Sequence, residues 1–143
     1  HVTLHRLTSV SRLIHTVHEM NAERPLDVVF FRTDAGNEPV REWLKSLPRD
    51  DCKIVGTDIL TVQYAWPVGK PLVDHLGDGV WEVRSRLDNR IARTLFAVID
   101  GEIILLHGFI KKTPKTPSNE LNLARKRKSQ YLESHEKKRS SRQ

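Results

Sequence analysis

Seven of the basic side chains between residues 70 and 115 offer the clearest chemistry in this sequence. They are Lys70, Arg84, Arg86, Arg93, Lys111, Lys112 and Lys115, and His75 and His107 lie close in sequence to two of them. Ammonium and guanidinium groups bind phosphate, and arginine can hold it through two parallel hydrogen bonds. The set therefore indicates a surface for a polyanion.

The net charge of +6 is unevenly distributed along the 143 residues. Residues 1–110 carry 13 Lys/Arg and 15 Asp/Glu, whereas residues 111–143 carry 11 Lys/Arg and 3 Asp/Glu. An excess of positive charge confined to one segment indicates nucleic acid as the partner. For Lys137 to Arg142 alone, a solvated, disordered tail is the competing interpretation.

Other common chemistries have no pattern in this sequence. A single cysteine, Cys52, and the absence of paired histidines at ligand spacing in the domain argue against a zinc site. There is no phosphate loop, dinucleotide fingerprint or G-x-S-x-G motif, and the acidic residues are scattered. Cys52 has no internal disulfide partner, so we expect a reducing, cytoplasmic compartment. No apolar run has the length of a membrane span.

The basic residues fall on a predicted β-meander. Its strands are Val80–Leu87, Arg90–Ile99 and Glu102–Lys111, with Asp100-Gly101 as a hairpin turn. In the first strand, Trp81, Val83 and Leu87 alternate with Glu82, Arg84 and Arg86. Side chains alternate between the faces of a strand, so one face is apolar and the other is cationic.

The remaining elements come before and after this meander. We predict a strand over Leu26–Arg32, a helix from Glu38-Pro39 to Pro48, a second helix to about Tyr64, and a loop over Val68–Asp78. A last helix begins at Thr116-Pro117 and fades after about Glu133. The predicted fold is α+β with two layers: a mainly antiparallel four-stranded sheet in the order β-α-α-β-β-β-α, two N-terminal helices on one face and a C-terminal helix.

The two ends of the chain differ in composition from this domain. Residues 1–19 hold four of the seven histidines and one acidic residue, so we predict a flexible or weakly helical leader derived from an upstream start or a vector. A transit peptide is the alternative. Residues 20–134 are the predicted domain, and residues 135–143 a basic disordered tail.

Several short motifs occur together and in order from about Val28 to Tyr131. They are Lys70-Pro71-Leu72, Gly79-Val80-Trp81-Glu82-Val83-Arg84, Arg93, Leu105-Leu106-His107-Gly108-Phe109-Ile110-Lys111-Lys112 and Lys115-Thr116-Pro117, with Glu120 and Ala124 at the matching spacing. This combination resembles the phage-derived branch of the RelE/ParE superfamily of toxins, the branch that includes HigB-like toxins. The resemblance excludes residues 1–19 and the extreme tail.

The resemblance implies the toxin of a type II toxin–antitoxin system, a metal-independent ribonuclease that needs no cofactor. It would cut mRNA, usually in the ribosomal A site, and would be blocked by a helix-turn-helix antitoxin of the HigA type. Operator DNA would be bound only through the antitoxin complex. In the implied reaction the 2′-hydroxyl attacks the adjacent phosphate to give a 2′,3′-cyclic phosphate, so the protein must orient RNA and stabilise charge.

The resemblance also assigns roles to residues of this chain. Arg84 matches the arginine that binds the scissile phosphate, and Lys70 is a candidate base or RNA clamp. We expect Lys111 or Lys112 to hold or protonate the RNA. Arg93 is either a second phosphate contact or a structural partner of Glu82.

A second set of residues is assigned to RNA binding outside the reaction centre. Lys115, Arg125 and Arg127 would contact ribosomal RNA or antitoxin, and Arg86 is a weaker candidate. Tyr131 could stack on a base or simply pack, and for His107 a hydrogen-bonded core histidine is the competing interpretation. The set is Arg86, Lys115, Arg125, Arg127, Tyr131 and His107. Some relatives have a tyrosine or histidine near the end of the last strand. This sequence differs from them, because Phe109 and two lysines occupy that zone.

Two other functions fit the same fold. One is a nucleic-acid-binding or regulatory module without catalysis, and the other is a ParE-like inhibitor of gyrase.

Overall fold

The computed structural model describes residues 25–111 and 114–141 of the chain. Its elements are β1 (Asp27–Phe30), α1 (Pro39–Ser46), α2 (Arg49–Ala65), β2 (Val73–Gly77), β3 (Val80–Arg86), β4 (Ile91–Ile99), β5 (Glu102–Lys111) and α3 (Ser118–Ser141). The predicted α+β class is confirmed. The predicted leader, residues 1–19, lies outside the described residues. None of the helices in the described ranges is long and apolar enough to cross a membrane.

The sheet has five strands in the order β1-β5-β4-β3-β2, and β1 runs parallel to β5 while the other pairs are antiparallel. The prediction of four strands is therefore wrong, because β2 lies in the segment predicted as a loop. β2 is a short edge strand in which only Val73 is buried. Its pairing with β3, where Val73 faces Val83, is a contact between distant residues that the local pattern does not reveal.

The meander β3-β4-β5 follows the predicted alternation. Asp100 and Gly101 both have positive φ, at 50° and 77°, as expected for the tight turn that joins β4 to β5. Arg84 on β3 faces Arg93 on β4, and Arg93 in turn faces Phe109 on β5. Arg84 and Arg93 are therefore direct neighbours, but the prediction of a cationic face is wrong, because the same face also carries the buried apolar residues Val80, Leu95 and Phe109.

Helices α1 and α2 cover one face of the sheet. Val40, Val55, Ile59 and Val62 pack with buried residues of the strands, as their helical spacing predicts. A side-chain carbon at Gly108 would lie 2.1 Å from the Trp43 ring, so only glycine fits where α1 crosses β5.

Helix α3 covers the opposite face, so the helices and sheet form three layers rather than the predicted two. Ala124 of α3 is fully buried with Leu95, Ala97 and Leu106, and Tyr131 packs against the same cluster. Because α1 and α2 occupy the first face of the sheet, α3 covers the second face. This helix begins beside the cationic residues of β3 and β4.

The predicted disordered tail from His135 is replaced by helix as far as Ser141. His135 Nε2 lies 3.0 Å from Asp100 Oδ2, and its ring stacks on Tyr131, so the helix stays attached to the β4–β5 turn. The following glutamate and lysines are strong helix formers. The composition predicted disorder because the segment is highly charged, and composition does not reveal the contact between His135 and Asp100.

Candidate functional site

A buried polar network, the Glu82 network, joins the sheet to the segment before α3. Arg93 Nη1 lies 2.8 Å from Glu82 Oε1, with side-chain exposures of 1% and 2%. Arg93 Nη2 donates to the Pro114 carbonyl at 3.0 Å, and the Thr116 hydroxyl donates to Glu82 at 2.8 Å. A buried charge is tolerated when it is paired and hydrogen-bonded, and both conditions hold here. The structural pairing of Arg93 with Glu82, one of the two predicted alternatives, is thus observed.

An open cleft of about 420 Å³, the Arg84 cleft, lies above this network. Its lining residues are Asp74, His75, Leu76, Glu82, Arg84, Arg93, Pro114, Lys115, Thr116 and Leu121. Arg84 lies on β3 and is half-buried, while Lys115 lies in the segment before α3 and is exposed. Because Glu82 is paired with Arg93, Arg84 and Lys115 are the lining cations outside the Glu82 network, and Asp74 is the lining carboxylate outside it.

Lys70 lies beside the cleft but does not line it. Its side chain is 74% exposed, and Nζ lies 3.7 Å from Oδ1 of Asp74, which does line the cleft. The Lys70-Pro71-Leu72 segment is fixed to Arg84 because the Arg84 N–H donates to the Leu72 carbonyl at 2.8 Å. Lys70 therefore belongs to a segment that is bonded to β3 but does not itself line the Arg84 cleft, and its role as a base or RNA clamp stays a prediction.

Arg84 also lines a smaller groove of about 320 Å³ on the side of α2, together with Ile54, Asp58, Pro71, Leu72 and Arg86. Burial raises the pKa of Asp58, and a hydrogen bond from Ser85 partly offsets that effect. Arg86 lines this groove and not the Arg84 cleft, and it is exposed. The two arginines of β3 therefore share this groove, and of the two only Arg84 also lines the Arg84 cleft.

Lys111, at the end of β5, is not among the residues that line the Arg84 cleft. Lys111 is exposed at the last position of the strand, opposite Ile91. Lys112 lies outside the described residues. Their roles in holding or protonating RNA stay predictions.

The RNA-binding candidates of α3 contact the sheet or the β2–β3 turn. Arg127 Nη1 donates to the Leu106 carbonyl at 2.9 Å, and burial lowers the pKa of Arg127. Arg125 Nε lies 3.2 Å from Asp78 Oδ2, and the Lys128 ammonium donates to the Asp78 carbonyl. These contacts attach α3 to the domain, and RNA binding by Arg125 or Arg127 stays a prediction.

His107 and Tyr131 occupy positions under α3. His107 Nε2 lies 3.4 Å from Glu120 Oε1, and burial lowers the pKa of His107 although Glu120 opposes that shift. The Tyr131 hydroxyl donates to Glu102 Oε1 at 3.3 Å, and burial together with the Glu102 charge raises the pKa of Tyr131 to about 12. Both side chains have the partners expected of structural residues, in line with the competing interpretations given for them.

Sequence reasoning missed two participants in the cleft. Asp74 had a signal, since it follows Lys70 by four residues, but its strand was not predicted. The last helix was predicted to begin at Thr116-Pro117; instead it begins at Ser118, and the Thr116 hydroxyl donates to Glu82. No three His, Cys, Asp or Glu side chains in the described residues come together as a metal site.

The fold and the site together define a class of protein, a small α+β domain with a cleft on its sheet that is lined in part by cations. The family model of phage-derived Gp49-like proteins matches residues 42–129, which include every residue that lines the Arg84 cleft. The chain therefore belongs to the Gp49-like family, a family of RelE-like toxins of type II systems. No curated protein matches the chain.

Proposed function

We propose that this protein is the toxin of a type II toxin–antitoxin system and that it cleaves mRNA in the Arg84 cleft. The observation that carries the proposal is that Arg84 and Lys115 line one open cleft. Membership of a RelE-like toxin family supports the biological role. The finer assignment to the HigB branch and to the ribosomal A site is part of the proposal.

The proposed chemistry is transfer of the phosphoryl group within the RNA strand. The 2′-oxygen forms a bond to phosphorus, the bond to the 5′-oxygen breaks, and the products are a 2′,3′-cyclic phosphate and a 5′-hydroxyl. The proton moves from the 2′-hydroxyl to a base, and a second proton reaches the leaving oxygen. Arg84 would bind the non-bridging oxygens, where negative charge develops. Lys115 lines the same cleft and would hold the same or the adjacent phosphate.

The supporting residues have distinct tasks in this scheme. The Glu82 network fixes Pro114 and Thr116, so it holds Lys115 from both sides. Lys70, which contacts Asp74 at the edge of the cleft, suits an RNA clamp. We further propose that a helix-turn-helix antitoxin blocks this cleft, and that the charge on the reacting phosphate is met by side chains without a metal.

The decisive experiment compares Arg84→Ala with Arg86→Ala, since both arginines lie on β3 but only Arg84 lines the Arg84 cleft. Purified variants are mixed with mRNA, with and without translating ribosomes, and primer extension maps the cuts. Removing one group that stabilises a developing charge costs about 100- to 1,000-fold in rate. We expect that loss for Arg84→Ala and a change below about tenfold for Arg86→Ala.

Three results would contradict the proposal. Equal cleavage by wild type and Arg84→Ala would remove the catalytic assignment. Binding of RNA without cuts under either condition would favour a non-catalytic module. Inhibition of DNA supercoiling without RNA cleavage would favour a ParE-like activity.

A further inference from the structure

The proposed reaction needs a group that takes the proton of the 2′-hydroxyl, and three titratable proton acceptors line the Arg84 cleft. They are Asp74, His75 and Glu82. The other charged residues of the lining, two arginines and a lysine, donate hydrogen bonds when charged and do not accept them. The face of the sheet that each acceptor occupies, and the partners it already has, decide which one can meet RNA.

Two of these acceptors are excluded by their contacts. The His75 ring lies against the Trp81 ring, with 4.2 Å between the ring centres. Trp81 and Arg84 are three residues apart on β3, so the His75 ring and the Arg84 side chain lie on opposite faces of the sheet. The Glu82 side chain is 2% exposed, and its Oε1 already accepts two hydrogen bonds within the Glu82 network.

Asp74 lies on the same face of the sheet as Arg84. It pairs with Glu82 across β2 and β3, and Arg84 follows Glu82 by two residues on β3. Such diagonal neighbours are about 7–8 Å apart on one face of a sheet, which is within reach of a long side chain. The Asp74 carboxylate and the Arg84 guanidinium therefore belong to one site.

The Asp74 carboxylate is accessible to a strand in the cleft. Its side chain is 29% exposed, and its Oδ1 lies 3.7 Å from the Lys70 ammonium. An ion pair with so exposed a lysine contributes little free energy, so the carboxylate can exchange this contact for one with a substrate. A negative charge in this position repels phosphate, which makes Asp74 unsuited to bind the strand but suited to accept a proton from it.

We propose that Asp74 is the general base of the cleavage reaction, and this inference rests on the proposed function. As the 2′-oxygen forms its bond to phosphorus, the proton of the 2′-hydroxyl passes to the Asp74 carboxylate. The bond to the 5′-oxygen breaks with its electron pair on that oxygen, which takes a proton from water. The Asp74 carboxyl then returns its proton to water. Arg84 stabilises the charge on the non-bridging oxygens during the same step.

The test compares Asp74→Asn with Asp78→Asn, because each substitution removes one negative charge from the hairpin of β2 and β3. Asp78 lies in the turn, is 76% exposed and is not among the described residues that line the Arg84 cleft. Single-turnover cleavage is measured on an mRNA that wild type cuts, with ribosomes where wild type requires them. Fluorescence anisotropy measures binding of a 2′-O-methyl copy of the strand around the cut, which cannot be cleaved.

The remaining variants control for folding and for the carboxyl group itself. Asp74→Ser is a second variant without the carboxylate, and Asp74→Glu keeps it. Arg84→Ala is measured in parallel, and circular dichroism with thermal unfolding confirms that each protein is folded.

We expect Asp74→Asn and Asp74→Ser to cleave about 100- to 10,000-fold more slowly than wild type, the range for loss of a general base. Both should bind the uncleavable strand at least as tightly as wild type, because a repulsive charge is gone. Asp78→Asn should cleave as wild type does, and Asp74→Glu should be faster than Asp74→Asn. The residual rate of Asp74→Asn should rise in proportion to hydroxide concentration, because hydroxide then takes the proton.

The outcomes separate the two proposals. If Asp74→Asn and Asp74→Ser cleave as fast as wild type while Arg84→Ala is inactive, the general-base assignment is wrong and the Arg84 cleft stands. If weaker binding accounts for the whole loss in Asp74→Asn, the residue binds RNA and the inference is also wrong. If wild type cuts RNA neither with nor without ribosomes, the proposed function itself fails.

Discussion

The Arg84 cleft and the interface under α3 use the same residue types for opposite purposes. Arg84 and Lys115 line the open Arg84 cleft, where a ligand can reach them. Under α3, Arg127 binds the Leu106 carbonyl and His107 contacts Glu120, so their polar groups already have protein partners. The difference shows that a cation acts on a ligand only where the fold leaves it accessible, and that pairing inside the protein makes it structural.

Arg93 shares one feature with each region. It lines the cleft, as Arg84 does, but it is paired with Glu82, as the cations under α3 are paired with protein groups. Arg93→Ala tests which assignment holds and should have the largest effect. It leaves Glu82 buried and charged without its cation, which costs about 3–5 kcal/mol of unfolding free energy. Denaturant unfolding measures the loss.

The matched control is the double variant Glu82→Met with Arg93→Met. Replacing a whole buried pair by apolar residues of similar size is often neutral, so most of the stability should return. If Arg93→Ala instead keeps the stability of wild type and abolishes cleavage, Arg93 acts on RNA and the structural assignment is wrong.

Arg127→Met tests the other side of the comparison. Methionine keeps an apolar stem near Phe31, over which the guanidinium lies at 5.8 Å, but removes the donor to Leu106. A hydrogen bond from a charged group contributes about 1.5–3 kcal/mol, so we expect that loss of stability. Cleavage per folded molecule should not change. A variant that is as stable as wild type but defective with ribosomes would return Arg127 to the RNA-binding set.

The sequence predicted the parts of this fold that depend on local periodicity. The meander, its Asp100-Gly101 turn and the buried faces of α1 and α2 follow from spacing within each element. The β2 strand and the extension of α3 depend on Val83 and Asp100, which lie far away in the chain, so local pattern could not supply them.

The candidate site was predictable only in part for the same reason. Arg84 follows from alternation on β3 and from its motif. The contact of Lys70 with Asp74, the Thr116–Glu82 hydrogen bond and the burial of Arg127 require the packed structure. The residue types identify the cations. Only the packed structure separates the cations that a ligand can reach from those that contact other parts of the protein.

Thr116→Val removes a single hydrogen bond from the Glu82 network. Valine has the shape of threonine but cannot donate to Glu82, so the variant should lose about 0.5–1.5 kcal/mol of unfolding free energy. Thr116→Ser keeps the hydroxyl and should retain the hydrogen bond. Chemical denaturation of both variants measures the difference. If Thr116→Ser is destabilised while Thr116→Val keeps the stability of wild type, the methyl group rather than the hydroxyl holds the segment that carries Lys115.

The smallest effect concerns the pH dependence of stability at His107. Burial lowers the pKa of this histidine below its ordinary 6.5. The unfolded chain therefore binds a proton more readily than the folded protein does, and protonation favours unfolding. The contribution of neutral His107 is fully present above about pH 6.5 and is lost as the pH falls from there through the folded pKa.

His107→Gln removes this titration, so its unfolding free energy should change less than that of wild type between about pH 7.5 and about pH 5. Urea unfolding at the two pH values measures the difference, and other groups that titrate in this range are common to both proteins. Glu120 limits the effect, because its carboxylate, 3.4 Å from His107, favours the protonated ring. A steeper loss in His107→Gln than in wild type would mean that Glu120 outweighs burial, and His107 would then be a charged partner of α3.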